Sequence, residues 1–282
     1  TRPVEYTKAD LGYGGTQHKT MVSNEYGHYW VDAKRGHVFH LKANGKGLEE
    51  ITEGLRDWFK EHLPFKILEG GIKKYAKDVK DVVLKDTDVD NNLKGLGISL
   101  GWDSRLKRLF LTKKDYSVRK EYKGKLTFKD GKFYNLEDEV SLMDREVFED
   151  ASFTMAYSPL TGSWISYYSF KPDYYISHHN YFQTGINYDV NKSKQGIWAH
   201  LTHNNSFQVF YGEKYPFTIE VILKNNYANK VLGSINYWMD SKRFHGTADY
   251  AENRKIGFNK AWLYNNSQNS GELNLITSER GN

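Results

Sequence analysis

Cysteine is absent from all 282 residues. That excludes disulfides, thiol nucleophiles and thiolate-ligated zinc. It fits assembly in a reducing compartment. No run approaches the roughly 18 apolar residues of a membrane span, and no signal-peptide pattern opens the chain. Charge of one sign is also scarce. The 40 basic and 35 acidic residues leave a net charge of only +5. A balance so mixed does not point to nucleic-acid binding as a concentrated basic face would. Apolar residues make up only 39%, and mean hydropathy is −0.73.

What the chain has instead is rings: 21 Tyr, 15 Phe and 7 Trp. Each ring carries a large buried area, so a core is attainable at low overall hydropathy. Aromatic and β-branched residues also favour strands. A short unit recurs: strand, tight turn, strand. Tyr29-Trp30-Val31-Asp32 turns at Lys34-Arg35-Gly36 into Val38-Phe39-His40-Leu41. Gly97 to Asp103 turns at Ser104-Arg105 into Leu109 to Thr112, and Phe153 to Tyr157 turns at Pro159 to Gly162 into Trp164 to Tyr168. Leu126-Thr127-Phe128 and Lys132-Phe133-Tyr134 flank Asp130-Gly131, a strong hairpin signal. The expected fold is mainly β: antiparallel, propeller-like blades and hairpins with a small helical insertion.

The period changes at residues 48–63, and Ile72, Tyr75, Val79 and Val82-Val83 give a second, weak helical stripe. Leu48, Ile51, Leu55, Trp58, Phe59 and Leu63 recur at helical spacing, which predicts a helix from Leu55 to His62 stopped by Pro64. Residues 69–94 mix Lys73, Lys74, Lys77, Lys80 and Lys85 with Asp78, Asp81, Asp86, Asp88 and Asp90. Such alternation reads as a solvated face of an inserted helix or loop at the edge of the fold. On this reading, deleting residues 70–92 leaves the β fold intact. The expected organisation is N-terminal blade hairpins over 1–52, a helical, charged insertion over 53–94, and further blades of the same domain over 95–282. Within that last part, Tyr174 to Ile176, Asn180 to Gly185, Gly196 to His200, Phe207 to Gly212, Phe217 to Leu223, Lys230 to Met239 and the pair Phe258–Tyr264 and Gly271–Ile276 read as strands.

Few constellations carry chemistry. The glycine cluster Leu11-Gly12-Tyr13-Gly14-Gly15-Thr16 lacks the Lys-Ser or Lys-Thr of a phosphate loop, so it reads as a turn. Asp86-Thr87-Asp88-Val89-Asp90-Asn91 begins like a calcium loop, but Asn91 stands where glycine is expected and Gly97 where the bidentate Glu belongs. His178-His179 and the pair His200, His203 are candidate metal ligands, weighed against surface or satisfied core histidines. Adjacent strand residues face opposite ways, so such a pair rarely chelates one ion, while two pairs from different loops could still meet. No Gly-x-Ser-x-Gly elbow occurs. The reading names no catalytic, cofactor-binding or metal residue and no cofactor, and expects no enzyme.

Several phrases occur together: Gly14-Gly15-Thr16-Gln17-His18-Lys19 with Tyr26 to Asp32; Ala156-Tyr157-Ser158-Pro159 with Ser163 to Tyr174; His179 to Gly185; Gly196-Ile197-Trp198 with Val209-Phe210-Tyr211-Gly212; and Gly257 to Ala261 with Tyr264-Asn265-Asn266 and Ser270-Gly271. In these phrases the chain resembles the large tail muzzle (nozzle-type) proteins of crAss-like bacteriophages. Those proteins are much longer, so the resemblance implies that the chain would be a segment, which a start at Thr1 rather than methionine would fit. The resemblance implies a β-propeller-rich structural protein of the distal tail of a short-tailed virion, assembled in the bacterial host cytoplasm. It implies a homo-oligomeric ring around the DNA exit channel, neighbouring tail proteins as partners, and transient contact with exiting DNA. It supplies no catalytic residues. The rival readings are a carbohydrate- or receptor-binding β module, with Trp and Tyr as a glycan platform, and a propeller-type glycoside hydrolase.

Overall fold

The computed structural model describes residues 20–45, 47–75, 82–177, 181–187, 193–200, 208–221, 242–244, 250–252, 257–265 and 267–275. The protein is mainly β with several antiparallel sheets. Two compact units divide it: residues 1–202 with 209–215, and residues 203–208 with 216–282.

The first unit begins with a four-stranded meander, Val22–Asn24, Gly27–Asp32, His37–Lys42 and Leu48–Glu50. Its central turn lies where Asp32 predicts it, because the Asp32 carboxylate accepts the Arg35 N–H at 3.2 Å. A second four-stranded sheet is built from the two later hairpins joined at their inner strands. Its order is Ser163–Tyr168, Phe153–Ser158, Arg108–Lys114, Gly97–Asp103. The hairpins expected as separate units therefore merge into one sheet. The edge strand carries a bulge: Ala156 faces Ser166 and Tyr157 faces Trp164, leaving Ile165 unopposed. The bulge turns Trp164 to the same side as Tyr157, where its Nε1–H donates to the Ile51 carbonyl at 2.8 Å.

Both faces of this central sheet are buried along Phe153–Ser158, Arg108–Lys114 and Gly97–Asp103, while the edge strand Ser163–Tyr168 is exposed or half-buried throughout. Every residue of Gly97–Asp103 is covered. One face, with Ile98, Leu100, Trp102, Leu109, Leu111, Met155 and Tyr157, belongs to the larger core, which also takes Tyr29, Val31, Phe59, Leu63 and Ile67. The other face, with Phe110 and Ala156, packs with Phe170, Phe182, Ile186 and Tyr211. That second layer includes the three-stranded sheet Tyr174–Ser177, Phe182–Ile186, Gly196–His200. Gly101 shows why the small residues are there. A Cβ on it would stand 2.2 Å from the Tyr175 ring. Gly101→Ala is expected to lower stability by about 1–3 kcal/mol through overpacking, read from a urea unfolding midpoint. An unshifted midpoint would mean that Tyr175 moves aside freely.

The helix forms over Arg56–His62, one residue inside the expected start, and buries Phe59 against the larger core. A 3-10 helix, Lys66–Gly70, follows the Pro64 stop. The charged segment after it is not a decoration. Lys73–Lys74 and Val82–Val83 complete a five-stranded sheet in the order Asp138–Val140, Lys132–Asn135, Leu126–Lys129, Lys73–Lys74, Val82–Val83. Ile72, Leu84 and Val89 are buried in the larger core. The segment does lie at the edge of its sheet, as expected, but it is more than a solvated face: its lysines and aspartates accompany three apolar anchors that cannot be left in water. Strand Leu126–Lys129 pairs with Lys73–Lys74 in parallel, an exception to the antiparallel expectation. The Asp130-Gly131 turn is as predicted, with φ of 52° and 79° at its two residues, the signature of a type I′ hairpin.

In the second unit, Lys242–Phe244 pairs with Tyr250–Glu252, and Lys260–Ala261 with Leu273–Asn274, both antiparallel. The last pair realises the expected terminal hairpin, and Asn265 closes its turn by accepting the N–H groups of Ser267 and Gln268, each at 2.8 Å. Phe217, Ile219 and Val221 alternate as a strand would, yet they are exposed and unassigned to any sheet. Alternation makes a strand only when a ladder partner accepts it, and none pairs with this segment among the described residues. The glycine cluster 11–16 and the expected strand 230–239 lie outside the described residues.

Candidate functional site

Strand Arg108–Lys114 ends in two lysines, and consecutive strand residues face opposite ways. Each lysine therefore enters a different core, and each meets its own aspartate. The Lys113 ammonium donates to the Asp115 carboxylate at 2.6 Å and to the carbonyls of His62 and Pro64, both at 2.7 Å. All three ammonium donors are used. The two carbonyls lie at the end of the helix and in the loop beyond it, where backbone acceptors have no helical partner. Asp115 in turn accepts the N–H groups of Lys66 at 2.6 Å and Ile67 at 3.3 Å, the opening donors of the 3-10 helix. It also accepts the N–H of Tyr116 at 2.8 Å. Both side chains are fully buried. Burial pushes the Lys113 ammonium down and the Asp115 carboxyl up, and each charge partly offsets the shift of the other. The pair clamps one helix end to the next helix start.

On the opposite face Lys114 donates to Asp173 at 2.5 Å, and the other Asp173 oxygen accepts the Asn187 N–H at 2.6 Å. The Asp173 N–H donates to the Gly185 carbonyl at 2.9 Å. This second pair ties the central sheet to the three-stranded one.

Nearby lies the arrangement closest to catalytic chemistry. The Thr184 hydroxyl is bonded to His200 Nε2 at 2.6 Å and to the Tyr211 hydroxyl at 2.8 Å. A hydroxyl beside an imidazole is the start of a nucleophile–base pair. Here Thr184 is 0% exposed and His200 6%, so the hydroxyl meets no solvent. Among the described residues no carboxylate hydrogen-bonds the His200 ring; Asp103 instead holds its own turn, accepting the Arg105 N–H at 2.9 Å. His200 stacks on Phe170 with ring centres 5.2 Å apart. It is a core histidine, the plainer of the two sequence readings.

Burial pushes the His200 pKa down to about 4; Asp103 opposes the shift and Arg105 adds to it. In the unfolded chain the ring titrates near 6.5. Between those values the unfolded state binds the proton and the folded state does not. The contribution of His200 to stability is therefore full above about pH 6.5, falls as the pH drops, and levels below about 4, a loss of about 3 kcal/mol. Urea unfolding across this range, wild type against His200→Gln, reads the difference. Parallel profiles would remove His200 as the cause.

His178, His179 and His203 lie outside the described residues. Of the calcium-like run, Asp86–Val89 forms a helical turn. Asp88 is engaged there by Lys74 at 2.5 Å and by the Lys85 N–H at 3.0 Å. Burial pushes its carboxyl up, but these donors outweigh burial and hold it below the usual range. No group of three or more His, Cys, Asp or Glu able to hold a metal occurs among the described residues. Nor is any helix among them long and apolar enough to cross a membrane.

The buried Lys–Asp pairs escaped the sequence reading. Their signal was present: Lys113-Lys114-Asp115 follows directly on Leu109-Phe110-Leu111-Thr112, charge set into a strand with no turn residue between. Compared with protein-family models, with curated proteins and with solved structures, the chain finds no match.

Proposed function

We propose that the chain is a non-enzymatic structural subunit of a short-tailed phage virion. In this reading it is a segment of a tail muzzle protein whose propeller-like blades assemble into a homo-oligomeric ring around the DNA exit channel. It sits in the distal tail, assembled in the host cytoplasm, beside other tail proteins and in transient contact with exiting DNA. The observation that carries the reading is the central sheet, buried on both faces along three of its four strands and cross-linked on each face by a Lys–Asp pair. A sheet fixed on both sides is a stiff slab, and a ring subunit must hold its shape against its neighbours. The four buried charges serve backbone and sheet contacts, which suits a scaffold. Abundant Tyr and Trp suit subunit interfaces, since rings bury area at low entropy cost and keep a polar handle.

Light scattering and negative-stain microscopy of the purified chain test this. The expected outcome is a closed ring of rotational symmetry at micromolar concentration. A strict monomer would count against it.

One observation favours a second reading, a carbohydrate- or receptor-binding module. On the outer face of the three-stranded sheet the Tyr174 ring lies against Gly185, where a Cβ would stand 1.8 Å from it, beside Ile197, which is 61% exposed. An uncharged ring laid along a sheet is a platform for a sugar face. Glycan-array binding lost on Tyr174→Ala would support it; an array without binding would leave the tail reading ahead.

A further inference from the structure

We draw no further inference here: the strongest candidate, the solvent-facing side of the five-stranded sheet with Lys73, Tyr75, Lys129, Lys132 and Tyr134, carries nothing, because Lys132 is already paired with Glu139 at 2.6 Å, the Lys129 ammonium lies 5.0 Å over the Tyr75 ring, and nothing in the structure shows what covers the face.

Discussion

Lys113→Met is expected to lower the unfolding free energy by about 3–5 kcal/mol, the usual cost of stranding one partner of a buried ion pair. The methionine fills a similar volume, so packing changes little. What changes is electrostatic. Asp115 keeps its three N–H donors but loses its cation, and it is fully buried. The carbonyls of His62 and Pro64 lose their donor at the same time. A domain holds only about 5–15 kcal/mol in total, so the variant loses a large share of its stability. Adding Asp115→Asn removes the stranded charge and recovers part of the loss. It does not recover all of it, because the two carbonyls lose the lysine donor and the new amide nitrogen cannot accept a backbone N–H in place of a carboxylate oxygen. That distinguishes this pair from one whose members serve only each other. Urea unfolding of the two single variants and the double variant measures the coupling. A loss below about 1 kcal/mol for Lys113→Met, the range of an exposed pair, would show that the clamp is not structural.

Deleting residues 70–92 is expected to abolish cooperative unfolding. The deletion takes out Ile72, Leu84 and Val89, all buried in the larger core. At about 1.5–3 kcal/mol per fully buried aliphatic side chain, the three together contribute roughly 5–9 kcal/mol. It also removes two strands, so Leu126–Lys129 becomes an uncovered sheet edge. A loss of this size is comparable with the whole stability of a domain. Circular dichroism during a thermal melt is the measurement. A sharp transition with the full strand signal would return the segment to the role its charges suggest, a surface decoration. Replacing only Lys73 and Lys85 by glutamine is the matched control. Both are exposed, so the core stays whole and the melt is expected to remain sharp.

These two predictions mark the boundary between local and non-local information. The tight hairpins were legible, because Asp130-Gly131 and the Asp32 turn work through backbone conformations and bonds a few residues apart. The helix was legible from spacing and from Pro64, and only its first residue differed. The charged segment misled, because charges at every second or third position outweigh three apolar residues in any window. Phe217-Thr218-Ile219-Glu220-Val221 misled in the opposite way: its alternation is clean, but no described strand pairs with it. Of the candidate site residues, His200 was visible as a histidine, but its neutrality in the core was not. That follows from burial among Thr184, Phe170 and Tyr211, which come from other stretches of chain.

By itself the sequence determined the β class, the hairpin turns, the amphipathic helix Arg56–His62 and the absence of any thiol chemistry. Each of these depends on residue types or on neighbours close along the chain. Tertiary structure alone decided that the Gly/Ser side of Gly97–Asp103 is an interior face, with room for the Tyr175 ring, rather than a wet one. It alone decided that Lys113 and Lys114 point into two different cores and find aspartates there. The physical reason is shared: alternation along a strand separates two faces, but what covers each face comes from distant segments.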